Sequence, residues 1–142
     1  MSRLQSVTDN HGYQIKLGYL SNSPSGDFVA LTSAKAINNA IDYCNPDADT
    51  CTGLTQSWPT LTYASTPYTG TRVESTTDTL GGVTQFTFQF AEAYDQLISI
   101  RRPGSSNDDV TISYATDGTY SRVSSVAIPG RTTSYTWSFD GT

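Results

Sequence analysis

The sequence predicts an all-β protein built from consecutive β-hairpins that form an open, twisted antiparallel sheet. Three observations carry that expectation. A hairpin-sized segment recurs along the chain, apolar and polar residues alternate within the copies, and Gly, Asn, Asp and Pro fall at turn positions between them. The composition agrees: 36% of the 142 residues are hydrophobic and only 15% are charged, with Ser, Thr, Tyr and Gly making up the difference. β-Branched and aromatic side chains suit a pleated surface. An aromatic content of 11% with modest charge argues against disorder.

The repeat is clearest between residues 3–19, RLQSVTDNHGYQIKLGY, and residues 72–88, RVESTTDTLGGVTQFTF. Without gaps these share Arg3/Arg72, Ser6/Ser75, Thr8/Thr77, Asp9/Asp78 and Gly12/Gly81, and Leu4/Val73, Leu17/Phe86 and Tyr19/Phe88 are similar. Leu4 to Val7 reads as a short strand, and Thr8 to Gly12 as a turn in which Asp and Asn tolerate left-handed backbone and Gly supplies positive φ. Tyr13, Ile15, Leu17 and Tyr19 then alternate with polar residues, the pattern of a half-buried return strand. Two looser copies follow. Leu97 to Ile100 leads through Pro103-Gly104 to Val110, Ile112 and Tyr114, and Arg122 to Val126 leads through Pro129-Gly130 to Tyr135, Trp137 and Phe139. The later units start at Val73, Leu97 and Val123, spacings of 24 and 26 residues. One hairpin of this size is marginal in water, whereas stacked neighbours bury a continuous face.

The chain therefore divides into a first hairpin (1–19), an interrupting segment (20–71) and three further hairpins (72–142). Within the interruption, Leu20 to Asp27 reads as loop. Leu31 to Cys44 fits two descriptions. Ile37, Ala40, Ile41 and Cys44 fall on one helical stripe that Ser33 could cap; alternatively Asn38-Asn39 turns a hairpin whose return strand carries Ile41 and Tyr43. The β context favours the hairpin and leaves room for one short helix. Trp58 to Tyr63 reads as a strand returning to the sheet. Both ends of the chain are read as cuts through a longer array, since repeat-like sequence begins at once and the last strand runs out uncapped at Phe139 to Thr142.

These segments resemble the RHS/YD-repeat family. The resemblance rests on Arg3-Leu4 to Val7-Thr8-Asp9, on Tyr94-Asp95, on Tyr114-Ala115-Thr116-Asp117-Gly118 ahead of Arg122-Val123, and on Phe139-Asp140-Gly141. It covers residues 3–19 and 72–142 and touches 20–71 only weakly. The family pattern is broken after Tyr94-Asp95, where Gly-Arg is missing, and at Ala115, where the family has Asp. The resemblance implies a structural segment of a large exported or surface bacterial protein, whose repeats wind into a β shell that in several members encloses a toxin. It implies no catalysis by the segment itself, and the rest of the repeat array as its partner.

The charge pattern narrows the partners further. A net charge of −5, with eight scattered Lys and Arg, opposes nucleic-acid binding. The basic pair Arg101-Arg102 reads as a solvated strand end. No apolar run reaches the roughly 20 residues of a membrane helix. Cys44 and Cys51, the two cysteines, are expected to pair across a short acidic turn. Closing that loop is worth roughly 2–3 kcal/mol in the chain-entropy model and calls for an oxidising, extracellular setting.

Candidate chemistry is sparse, and neither a cofactor nor a resident metal is expected. Asn45, Asp47 and Asp49 space their oxygens like the opening of a calcium loop, but Thr50 stands where the loop needs Gly and Gln56 where it needs Glu. They read better as a solvated turn. His11, the single histidine, occupies the turn position filled by Leu80 in the second copy. Glu74 matches Gln5, and no carboxylate pair, triad or phosphate loop stands out, so the chain is not expected to be an enzyme. Tyr13, Trp58, Tyr63, Tyr68 and Trp137 could stack on sugars. Alternation puts Tyr13 and Trp137 on the faces of Ile15 and Tyr135, where packing is the default. A second expectation is thus a binding module in which Trp58, Tyr63 and Tyr68 of the interruption meet a carbohydrate or protein partner.

Overall fold

Turn chemistry decides where the strands end. The Asp9 carboxylate accepts the backbone N–H groups of His11 and Tyr13, both at 2.9 Å, and the Gly12 N–H reaches the Asp9 carbonyl. The second copy does the same: Asp78 takes the Leu80 N–H on its carboxylate at 2.8 Å and the Gly81 N–H on its carbonyl. Gly12 and Gly81 hold φ values of 85° and 84°, a left-handed backbone that a Cβ disfavours by roughly 1–2 kcal/mol. The repeated acids are therefore turn residues.

The structure, a computed structural model, describes residues 2–21, 30–67, 69–91, 94–116 and 120–138. It is all-β. Ten strands, β1 (Ser6–Thr8), β2 (Tyr13–Tyr19), β3 (Leu31–Asn38), β4 (Thr60–Ser65), β5 (Thr71–Thr77), β6 (Val83–Ala91), β7 (Tyr94–Arg101), β8 (Val110–Thr116), β9 (Ser121–Ile128) and β10 (Arg131–Ser134), follow one another in the antiparallel sheet in chain order. There is no helix among the described residues, and hence none long and apolar enough to cross a membrane. The expected loop over 22–27, Tyr68, Glu92, Asp117-Gly118 and Phe139-Asp140-Gly141 lie outside the described residues. Two compact units are distinguished, residues 1–64 with 76–81 and residues 65–75 with 82–142.

In the first unit Val7 stands opposite Ile15, and Ile15 opposite Ala36. The helix alternative for residues 31–44 is not realised: Leu31 to Asn38 is strand β3, paired with β2. The hairpin alternative is realised with a different return strand. Asn38 does turn the chain, accepting the Ala40 N–H on its side chain and the Ile41 and Asp42 N–H groups on its carbonyl. Ile41 and Tyr43 then stay exposed, and β3 pairs instead with β4, Lys35 opposite Thr60 and Ser33 opposite Thr62. The residues that interrupt the repeat in sequence thus contribute a hairpin of their own, with a long loop at its turn.

Burial in this unit runs against the simple reading of the alternation. The apolar face of β2 is open, with Tyr13 59% and Ile15 43% exposed, whereas Gln14 is 1% and Lys16 5% exposed. The cause is the loop between β3 and β4. It covers the polar face, where Ser6 Oγ and Lys16 Nζ both donate to the Pro46 carbonyl, at 3.2 and 2.9 Å. Ile37, which shares that face with its neighbour Gln14, and Cys44 of the loop are the buried hydrophobic residues among those described.

In the second unit Phe86 stands opposite Ile100, Ile100 opposite Val110, and Ile112 opposite Val126. The basic pair at the end of β7 has a defined task. Arg101 donates to Asp108 at 2.9 Å and Arg102 to Asp109 at 2.7 Å, clamping the β7–β8 loop. Hydrogen bonds from the Arg102 side chain and backbone hold the Asp109 carboxyl down to about 2. Asp95, from the Tyr94-Asp95 pair, meets Arg72 at 2.8 Å. The last hairpin is shorter than the sequence suggests. Strand β10 stops at Ser134, with one more backbone bond from the Tyr135 N–H to the Ser124 carbonyl at 2.8 Å, and the rings of Tyr135 and Trp137 stack 6.4 Å apart.

A shared device closes the hairpins. The register shifts between Gly18 and Tyr19, between Thr87 and Phe88, and between Ser113 and Tyr114, each time directly before an aromatic residue. The extra residue falls each time in the following strand, at Thr32, Ile98 and Ser124. The Tyr19 hydroxyl donates to the Leu4 carbonyl at 2.5 Å, the Tyr114 hydroxyl to Leu97 at 2.9 Å, and the Trp137 indole to Val123 at 2.8 Å. Arginine side chains cover the rings in three copies, Arg3 over Tyr19 at 4.3 Å, Arg72 over Phe88 at 5.3 Å and Arg122 over Trp137 at 5.7 Å. Phe88 has no donor, and the Val73 carbonyl is taken by the Thr66 N–H at 2.9 Å.

That difference is testable by urea denaturation. Tyr19→Phe is expected to lower stability by about 1 kcal/mol, the worth of one hydrogen bond. Phe88→Tyr is expected to bring no matching gain, because its target carbonyl already has a partner. A gain of that size would show that the Val73 carbonyl is open to a second donor.

Candidate functional site

In the loop between β3 and β4, side chains converge from residues that no strand pairing brings together. Asp42 organises its base. Its carboxylate accepts the Thr55 backbone N–H at 2.9 Å and hydroxyl at 2.7 Å, the Gln56 N–H at 3.2 Å and the Trp58 indole N–H at 2.7 Å. Burial would raise this carboxyl, but the donors from Thr55, Trp58 and Gln56 outweigh it and hold it below the usual carboxylate range. A carboxylate with that many donors fixes a loop without regular structure. Sequence reasoning missed Asp42, because its partners lie 13 to 16 residues away in a stretch without periodicity.

Cys44 and Cys51 form the expected disulfide, their Cα atoms 5.3 Å apart. The acidic turn they enclose is tied to the sheet. Asp49 accepts from Arg3 at 2.8 Å and from Gln5 at 2.7 Å, contacts that hold its carboxyl below the usual range. Asn45 turns its side-chain oxygen to the Asp47 N–H at 3.0 Å. Asn45 and Asp49, two of the three calcium candidates with Asp47, thus spend a side-chain oxygen on the protein's own donors. No group of three or more His, Cys, Asp or Glu side chains is arranged to hold a metal among the described residues. Beneath the turn, burial pushes the Lys16 ammonium below the usual lysine range, while Asp49 and Asp47 pull the other way.

The aromatic candidates separate. Trp58 is anchored through its indole N–H to Asp42, half-buried, and lines a concavity of about 380 Å³ on the open face with Val7, Tyr13, Ile15 and Pro59. Tyr63 stands half-buried on β4 and is not among the residues lining that concavity. Trp137 lies in the other unit, against Tyr135 and Arg122. His11 is exposed at its turn, 3.8 Å from Asp9. Glu74 and Asp95 both reach Arg72, at 3.2 and 2.8 Å, so their charges serve an ion-pair network rather than a cleft.

The site has a definite pH signature. Asp42 and Asp49 are depressed relative to the unfolded chain, so their stabilisation is present above about pH 4 and is lost as the pH falls through their folded values. Lys16 works in the opposite range. Its buried charge costs stability at neutral pH, and that cost is relieved as the pH rises towards the ordinary lysine value of 10.5. Urea midpoints measured across pH should fall on the acid side, and Asp42→Asn should flatten that fall. An unchanged acid limb in the variant would remove Asp42 from the account.

No protein-family model matches the chain, no curated protein is detectably similar to it in sequence, and no solved structure matches its fold.

Proposed function

We propose that this chain is a structural segment of a repeat-built β wall in an exported or cell-surface bacterial protein, without catalysis of its own, as its resemblance to RHS/YD-repeat proteins implies. The observation that carries the reading is the recurrence of one closing device. A register shift beside an aromatic ring returns at Tyr19, Phe88 and Tyr114, and two of these rings, Tyr19 and Tyr114, bond back to the segment that opens their hairpin. Such redundancy suits a solenoid-like array, in which each unit is stabilised by its neighbours. The open apolar face supports it, since Val7, Tyr13 and Ile15 have no second layer and the rest of the array is the partner the reading requires. The disulfide supports export. Delivery of a toxin would belong to the parent protein, outside these repeats.

A second reading, a module that recognises a carbohydrate or protein surface, is favoured by the concavity in which Tyr13 and Trp58 meet. Its ligand would be lost on Tyr13→Ala, which leaves the Asp42 anchor of Trp58 intact; a glycan array and pull-down would show it. Deleting residues 120–142 tests the wall. The remaining hairpins should keep their strand signal by circular dichroism and unfold with a proportionally smaller denaturant slope. Complete loss of structure would mean one cooperative core and would overturn the array reading.

A further inference from the structure

The chain contains two lysines, Lys16 and Lys35, and the register of β2 on β3 places them directly opposite each other. Directly opposed residues have Cβ atoms about 4.5–5.5 Å apart, and like charges there are destabilising. Arg3, Arg72, Arg101 and Arg102 each meet a carboxylate. The lysines do not. Lys16 is 5% exposed and gives one of its three donors to the Pro46 carbonyl. Lys35 has no hydrogen-bond or ion-pair partner among the described residues.

Both lysines line one pocket of about 250 Å³ between the sheet and the disulfide loop, with Gly18, Ser33, Asp49 and Thr50 on its wall. Asp49 is the acid lining it, and its Oδ1 is occupied by Arg3 and Gln5, with Arg3 bringing a third positive charge nearby. Asp47 acts on Lys16 from the same turn. The wall also offers two hydroxyls, from Ser33 and Thr50. Ser33 Oγ lies over Gly18, where an added Cβ would collide with it. The volume lies below the roughly 300–1,000 Å³ typical of ligand pockets, which limits an occupant to a small group.

From these observations we infer that the Lys16–Lys35 pocket binds a small oxyanion, the carboxylate of an acidic sugar or a sulfate group, between the two ammonium groups and the Ser33 and Thr50 hydroxyls. The anion resolves the like-charge pair that the register imposes and supplies acceptors for the free Lys35 donors. This site stands apart from the open apolar face and does not rest on the wall reading.

The test uses the full chain, with lysine and backbone resonances followed by NMR during titration with sodium sulfate and, separately, sodium glucuronate, chloride holding the ionic strength constant. Saturable shifts centred on Lys16, Ser33, Lys35 and Thr50 are expected. Lys35→Gln should weaken binding about ten- to hundredfold, the range for one charged hydrogen bond. Thr50→Val, which keeps the charge, should weaken it less, and Arg131→Gln should leave it unchanged. Saturation by sulfate alone identifies a tetrahedral oxyanion, and tighter binding of glucuronate identifies an acidic sugar. Linear shifts indistinguishable from chloride, or affinity indifferent to Lys35→Gln, would overturn the site.

Discussion

Three aromatic side chains, Tyr19, Tyr114 and Trp137, reach back to a backbone carbonyl in the segment that opens their hairpin, and an arginine covers two of those rings, Tyr19 and Trp137, as another covers Phe88. The remaining architecture depends on this contact, because the chain buries little else. Ile37 and Cys44 are the only hydrophobic residues fully withdrawn from solvent among those described. A two-stranded ribbon without a second layer is marginal in water. One hydrogen bond of about 1 kcal/mol and a cation–π contact of about 0.5–1 kcal/mol are therefore a large share of what holds one hairpin.

The disulfide loop supplies a different kind of order. It roofs the polar face of β1 to β3 and so buries Gln14 and Lys16 rather than the apolar residues beside them. Neither amide atom of Gln14 finds a partner among the described residues, which is a local cost. Asp42 offsets that cost by gathering the far end of the loop, and the Cys44–Cys51 bond shortens the segment that has to be ordered. The apolar face of the same strands is left open as a consequence.

Much of this was legible in the residues. Asp9 and Gly12, repeated as Asp78 and Gly81, announced turns whose hydrogen bonds and positive φ are those the structure contains. The short loop between two cysteines announced the disulfide. What could not be read was the sidedness of the sheet. Alternation in β2 shows that two faces differ, but only a distant segment decides which one is covered, and here residues 42–58 have no period that would reveal where they lie. The same limit applies to the aromatic contacts. Arg3/Arg72 and Tyr19/Phe88 stand out as matched positions, while nothing in the pattern tells that each arginine lies over its ring. Leu31 to Cys44 fitted a helical stripe and a hairpin alike, and the pairing of Leu31 to Asn38 with β2 decided against the helix.

Sidedness also explains why specific chemistry would collect under the loop and not along the other hairpins. On an exposed sheet face two like charges about 4 Å apart repel by about 1 kcal/mol in bulk water, but by about 4 kcal/mol where the effective dielectric is that of a protein surface. Elsewhere in the chain the polar strand positions are mostly Ser, Thr and Gln, which need no counter-charge. Beneath the loop, Lys16 and Lys35 face each other where water is partly excluded, so an anion entering there meets a field that the same residues could not produce on an open face. The turn enlarged by the disulfide is thus where the chain sets two lysines face to face beneath a cover.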